Sequence, residues 1–87
     1  VQNISFSIPA NKIAICTVFN DYYGTGNTPV SASLSSGSIK YYDAPSVQLS
    51  ATGGHGYILR TYVIKTSSAS ATLTLSSIGA ITGTLLY

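Results

Sequence analysis

The sequence predicts an all-β fold: a single small antiparallel β-sandwich of about seven or eight strands, Ig-like or jelly-roll in kind, over residues 1–87. Three observations predict it. Apolar and polar residues alternate with period two through almost every segment. Turn residues recur at intervals of about 8–12 positions. No stretch sustains an i, i+3, i+4 apolar pattern, and glutamate and methionine, both strong helix formers, are missing from the composition.

The elements follow in order. NISFSIPA, at 3–10, sets Ile4, Phe6 and Ile8 on one face and Asn3, Ser5 and Ser7 on the other. NKIAICTVFN, at 11–20, alternates more weakly, with Ile13, Ile15 and Phe19 facing one way and Ala14, Cys16 and Val18 the other. Both of its faces are apolar, which predicts a central strand covered on both sides. PVSASLS, at 29–35, points Val30, Ala32 and Leu34 inward. GSIKYYD, at 37–43, and SVQLSA, at 46–51, are split by Ala44 and Pro45, with Ile39, Tyr41, Val47 and Leu49 as expected core contacts. The longest run, GYILRTYVIK at 56–65, groups Tyr57, Leu59, Thr61 and Val63 on one face and Ile58, Arg60, Tyr62 and Ile64 on the other. SATLTLSS, at 70–77, turns Ala71, Leu73 and Leu75 inward, and AITGTLLY, at 80–87, groups Ile81, Leu85 and Tyr87. Gly83 in mid-strand predicts a bulge or a close approach by another backbone.

Composition narrows the class of role. A chain of 87 residues buries only roughly 60–65% of its unfolded surface, so the core is modest. Charged residues make up 7%, against an ordinary level of about 25%, and 24 serines and threonines stand against six charged side chains. Surface polarity therefore rests on hydroxyls, which tolerate close packing against other copies. The strands also lack the lysines and inward charges that block edge-to-edge pairing, so their edges are expected to be covered or used. The formal charge of +2 comes from Lys12, Lys40, Arg60 and Lys65, which are scattered. Nucleic-acid binding needs a basic stripe, and none is present, so no nucleic-acid partner is expected. No apolar run reaches the length of a membrane span. The single cysteine, Cys16, excludes an intrachain disulfide and a multi-cysteine zinc site, and reads as a small buried hydrophobe. The chain begins at Val1 already in alternation and stops inside an apolar run. That predicts a processed product or a module of a longer chain, with terminal strands against a neighbour.

The candidate site rests on a repeated feature. NDYYGTGN, at 20–27, and IKYYDAP, at 39–45, each set a Tyr-Tyr pair beside one of the only two acids, Asp21 and Asp43. Adjacent strand residues point to opposite faces, so one ring of each pair is expected in the core and one outside. Exposed rings flanked by carboxylates and amides bind sugars, because the ring covers C–H faces while polar groups fix the hydroxyls. Asn20, Asp21, Tyr22, Tyr23, Asn27, Tyr42 and Asp43 supply those groups, although Asp and Asn also favour turns and tyrosine favours strands. His55, between glycines, is free at a hairpin tip to reach a ligand or partner. Arg60 in mid-strand needs a counter-charge, for which Asp21 and Asp43 are the candidates, or a tyrosine face to stack on. Asn3-Ile4-Ser5 is a glycosylation sequon with Asn3 on a polar face.

Catalysis is not expected. His55, Cys16 and an aspartate are present, but no nucleophile elbow or other local motif ties them together. Two acids in turn-like positions do not make a glycosidase cleft or a calcium loop, and the glycine-rich stretches do not run into helices as phosphate cradles do. No metal and no cofactor is expected. The chain looks in composition like modules of virions and surface filaments, without a motif specific to one family. The expected role is a structural building block that self-assembles into an extracellular particle or filament, at a virion surface or cell-surface appendage. Its partners would be further copies or neighbouring subunits. The alternative is a carbohydrate- or receptor-binding module using Asp21, Tyr22, Tyr23, Tyr42, Asp43, His55 and Arg60.

Overall fold

The alternation builds strands wherever the chain is described. The computed structural model describes residues 2–22, 30–44, 47–48, 56–77 and 79–87, with only the backbone described at 21, 22, 47, 48, 56 and 57. Its elements are β1 (Gln2–Ile8), β2 (Ile13–Tyr22), β3 (Val30–Leu34), β4 (Ser38–Asp43), the two-residue β5 (Val47–Gln48), β6 (Gly56–Lys65), β7 (Ala71–Ser77) and β8 (Ala80–Leu86). They form two sheets, one ordered β1-β7-β3 and the other β4-β6-β2-β8 with β5 also on β6. Every pairing is antiparallel. The chain is a small β-sandwich, and no helix among the described residues is long and apolar enough to cross a membrane.

Parity decides what enters the core. Ile8, Val30, Leu73 and Leu75 of the smaller sheet meet Val18, Tyr62 and Ile64 of the larger, and all are buried. Each such side chain contributes about 1.5–3 kcal/mol on burial. Cys16 lies in the same layer, and burial pushes its thiol pKa up. Asn20 is the polar member of the layer. Its amide donates to the Ser77 hydroxyl at 2.5 Å and to the Ala80 carbonyl at 3.0 Å, tying β2 to the β7–β8 turn. Fully buried, it is not available to a sugar.

Two corners close one end of the sandwich. The chain passes from β1 to β2 with Asn11 at a positive φ of 57°. There the buried Thr66 hydroxyl donates to the Pro9 carbonyl at 2.7 Å and accepts from the Lys12 N–H at 2.8 Å. Between β3 and β4, Gly37 takes φ 95°, and a Cβ there would meet the Lys65 carbonyl oxygen at 2.4 Å. Only glycine fits that corner.

Several expectations need correction. β2 is central, between β6 and β8, but among the described residues only one of its faces is covered. Ile13 is 66% exposed, and Ile15 and Phe19 are exposed beside it. Tyr41 and Tyr42 do point to opposite sides of β4, yet both are exposed, at 56% and 62%. β4 is an edge strand whose Ile39 packs against the core, but Tyr41 lies out against Arg60 and Tyr42 is on the outer face, so neither ring enters the core. Ala32, on the edge strand β3, is exposed as well, and Tyr87 is exposed rather than packed with Ile81. At Gly83 the close neighbours are side chains, not backbone: a Cβ would lie 3.1 Å from the Phe6 ring and 3.3 Å from Ile4 Cδ1. Between β4 and β5 the register against β6 changes: Asp43 pairs with Arg60 and Val47 with Tyr57, so the β4–β5 side carries one more residue than β6. Leu49 lies outside the described residues.

Candidate functional site

The best-defined polar constellation grows from the pairing of β4 with β6. Register sets Asp43 opposite Arg60, and parity turns both toward the smaller sheet. The guanidinium grips the carboxylate in a fork: Nε donates to Oδ1 at 2.6 Å and Nη2 to Oδ2 at 3.0 Å. Nη1 donates to the Val30 carbonyl at 3.3 Å and to the Tyr62 hydroxyl at 3.4 Å. The Tyr41 ring lies 4.0 Å from the guanidinium carbon, and Tyr41 and Tyr62 are tilted against each other at 6.0 Å. Arg60 is 6% exposed. A charge so enclosed persists only because nearly every donor has an acceptor.

The electrostatics follow from this geometry. The hydrogen bonds from Arg60 hold the Asp43 carboxyl below the usual aspartate range, against a smaller opposing effect of burial. The same contact with Asp43 raises the pKa of Arg60 further. Neither group exchanges a proton near neutral pH, so the pair serves as a strut and not as an acid–base couple. Beside it opens a cleft of about 470 Å³, lined by Val30, Ser31 and Ala32 of β3, Ile39 and Tyr41 of β4, and Arg60 and Tyr62 of β6. Its walls are mostly apolar, and its charges are already satisfied. That chemistry suits recognition.

The structure brings together Asp43 and Arg60 of the residues expected at a site. Tyr42 lies on the opposite face of β4, away from the cleft, and Tyr41 takes the place beside Arg60. The parity of positions 41 and 43 carried that signal. Asp21 and Tyr22 belong to β2, where only the backbone is described, and Tyr23, Asn27 and His55 lie outside the described residues. Asn3 is exposed on the outer face of β1, and its side-chain oxygen accepts from the Ser76 hydroxyl.

A second feature was not legible as a site. The outer face of the larger sheet gathers Ile13, Ile15 and Phe19 of β2, Leu59 of β6 and Leu86 of β8, all exposed, with Leu86 at 70%. Register sets Ile15 opposite both Val63 and Leu86, and Phe19 opposite Leu59. The outer face of the smaller sheet is the reverse. Asn3, Ser5, Thr72, Thr74, Ser76, Ser31 and Ser33 make it a grid of small polar groups, linked in part by a Ser5–Thr74 contact at 3.3 Å.

No protein-family model matches this chain, and neither a curated protein nor a solved structure proves similar to it.

Proposed function

We propose that the protein is a structural building block that self-associates through the outer face of its larger sheet, as a subunit of an extracellular particle or filament. The observation that carries this reading is the apolar outer face around Ile13, Ile15, Leu59 and Leu86. Exposed apolar side chains gathered on one sheet face mark interaction surfaces; here they form two groups, Ile13, Ile15 and Leu86, and Phe19 and Leu59, on either side of the Thr61, Thr17 and Thr84 row. The strand β2 has the composition of one covered on both sides, and a neighbouring copy supplies the second cover. The low charge of 7% supports this, since few like charges oppose close packing. So do the β1, β3 and β8 edges, which, unlike the β4 edge with Lys40 and Asp43, carry no charged residue that would discourage pairing. Light scattering tests the reading. The expected mass exceeds the 9.0 kDa of one chain and rises with concentration. Ile15→Lys returns it toward the single chain, and Ser5→Lys, on the hydroxyl face, does not. A wild-type protein that stays at one chain's mass at every concentration overturns the proposal.

A second reading has one observation in its favour. The exposed rings of Tyr41 and Tyr42 flank the β4 edge beside Asp43, as in a carbohydrate- or receptor-binding module. Glycan-array binding that disappears in Tyr41→Ala or Tyr42→Ala, while association persists, would establish it. No array signal from the wild-type protein would end it.

A further inference from the structure

The two sheets are unequal in width, and the difference leaves room for one more strand. β3 is the last strand of the smaller sheet and lies over β6, where the Val30 carbonyl meets Arg60. β4 extends the larger sheet one strand further; Ile39 packs in part against the core, Tyr41 stays exposed, and a cleft opens between these two and β3. Neighbouring strands are spaced about 4.8 Å apart, so a strand added beside β3 would lie directly over Ile39 and Tyr41 of β4.

The edge of β3 is in the right state to take it. The Ser35 N–H donates to the Thr72 carbonyl at 3.1 Å, one pair beyond Leu34 and Leu73 in the β3–β7 register. Opposed pairs in an antiparallel ladder alternate between bonded and non-bonded. Ser31 and Ser33 therefore bond to β7, while Val30, Ala32 and Leu34 turn their N–H and C=O groups toward the open edge. The Val30 carbonyl, taken by Arg60, agrees with this parity. No strand pairs with Ala32 or Leu34 on that side among the described residues.

We propose that the β3 edge and the adjoining cleft accept an extended, uncharged peptide strand from a neighbouring subunit. Main-chain hydrogen bonds to Ala32 and Leu34 would hold it, and alternate apolar side chains would cover Ile39 and Tyr41. The charge of the cleft selects a neutral occupant. Arg60 and Asp43 neutralise each other in a fork, and a third charge would enter without a partner. The strand's origin in another subunit rests on the assembly reading above, but the surface is a different one from the apolar outer face.

The test uses the full chain carrying Ile15→Lys, so that association through the outer face does not contribute. The probe is the synthetic peptide QNISFSI, an uncharged alternating sequence identical to β1. Titration into isotope-labelled protein is expected to give saturable NMR shifts at Ala32, Leu34 and Tyr41, with slowed amide exchange at Ala32 and Leu34. Ala32→Asp, at an exposed position, weakens binding about tenfold or more by placing an added charge beside the strand, at the mouth of the cleft. Ser33→Asp, on the opposite face of β3, leaves it unchanged. Should Ala32→Asp lose its dispersed spectrum, Tyr41→Ala serves in its place and weakens binding likewise. An absence of saturable shifts overturns the proposal, as do shifts confined to the outer face of the larger sheet or unweakened binding in the folded cleft variant. None of these outcomes bears on whether the wild-type chain associates.

Discussion

Arg60 and Asp43 depend on each other unequally, because Arg60 is enclosed while the Asp43 side chain remains 37% exposed. Removing the carboxylate in Asp43→Ala strands a buried cation. A fully buried broken pair costs about 3–5 kcal/mol, and with solvent reaching Asp43 the expected loss in chemical denaturation is about 1–2 kcal/mol. Adding Arg60→Met should recover most of it, since an apolar side chain of similar length has no charge to leave unpaired. The pair also sets an acid dependence. The folded pKa of Asp43 is lowered, so its stabilisation is complete above the ordinary value of about 3.9 and fades as pH falls through the lower folded value. Denaturation of Asp43→Asn across that acid range should show a flatter dependence than the wild type. Gly37 is the other sensitive residue: Gly37→Ala drives a Cβ against a backbone carbonyl at positive φ, and a loss of about 2 kcal/mol or more is expected on thermal unfolding. At this scale the sequence showed that Arg60 needed one of two acids. It did not show which, because the β4–β6 register decides that and register is a tertiary property. Once Asp43 is the partner, the shared parity of positions 41 and 43 sets Tyr41, not Tyr42, at the guanidinium.

Strand faces were legible in the alternation, but which face is inside was legible only where the two differ in polarity. In β1 and β7, serine and threonine mark the outer face, and the expected core residues Ile8, Leu73 and Leu75 are buried. In β2 both faces are apolar, and the strand was read as doubly covered. The covering layer for Ala14, Cys16 and Val18 lies within the chain, whereas nothing described in the chain covers Ile13 and Ile15. A paired measurement separates the two faces. Leu75→Ala should cost about 2–5 kcal/mol in denaturant unfolding, as a fully buried side chain leaving a cavity. Ile15→Lys should change the stability of the dilute protein by no more than about 0.5 kcal/mol. Equal losses at the two positions would mean that the outer face is covered from within the chain. Edges were partly legible as well. The absence of charge on β1, β3 and β8 is visible in the sequence, while the register step between β4 and β5 needed both pairings to be seen.

As a whole molecule the sandwich is polarised, with a grid of hydroxyls on one outside and, on the other, exposed apolar side chains to either side of a central row of Thr61, Thr17 and Thr84. Composition alone announced a surface poor in charge, but it could not announce this division, since serine and isoleucine are sorted to opposite outsides only by topology. The His55 and Tyr23 segments lie outside the described residues, so the site expected from the two Tyr-Tyr copies is described here only in its second copy. In the proposed assembly one of these outsides packs and the other meets solvent. Hydroxyl-radical footprinting at low and high protein concentration tests it most directly. Assembly through the larger sheet predicts that oxidation of Ile13, Ile15, Leu59 and Leu86 falls as concentration rises. Oxidation of those side chains that stays the same at every concentration would contradict it.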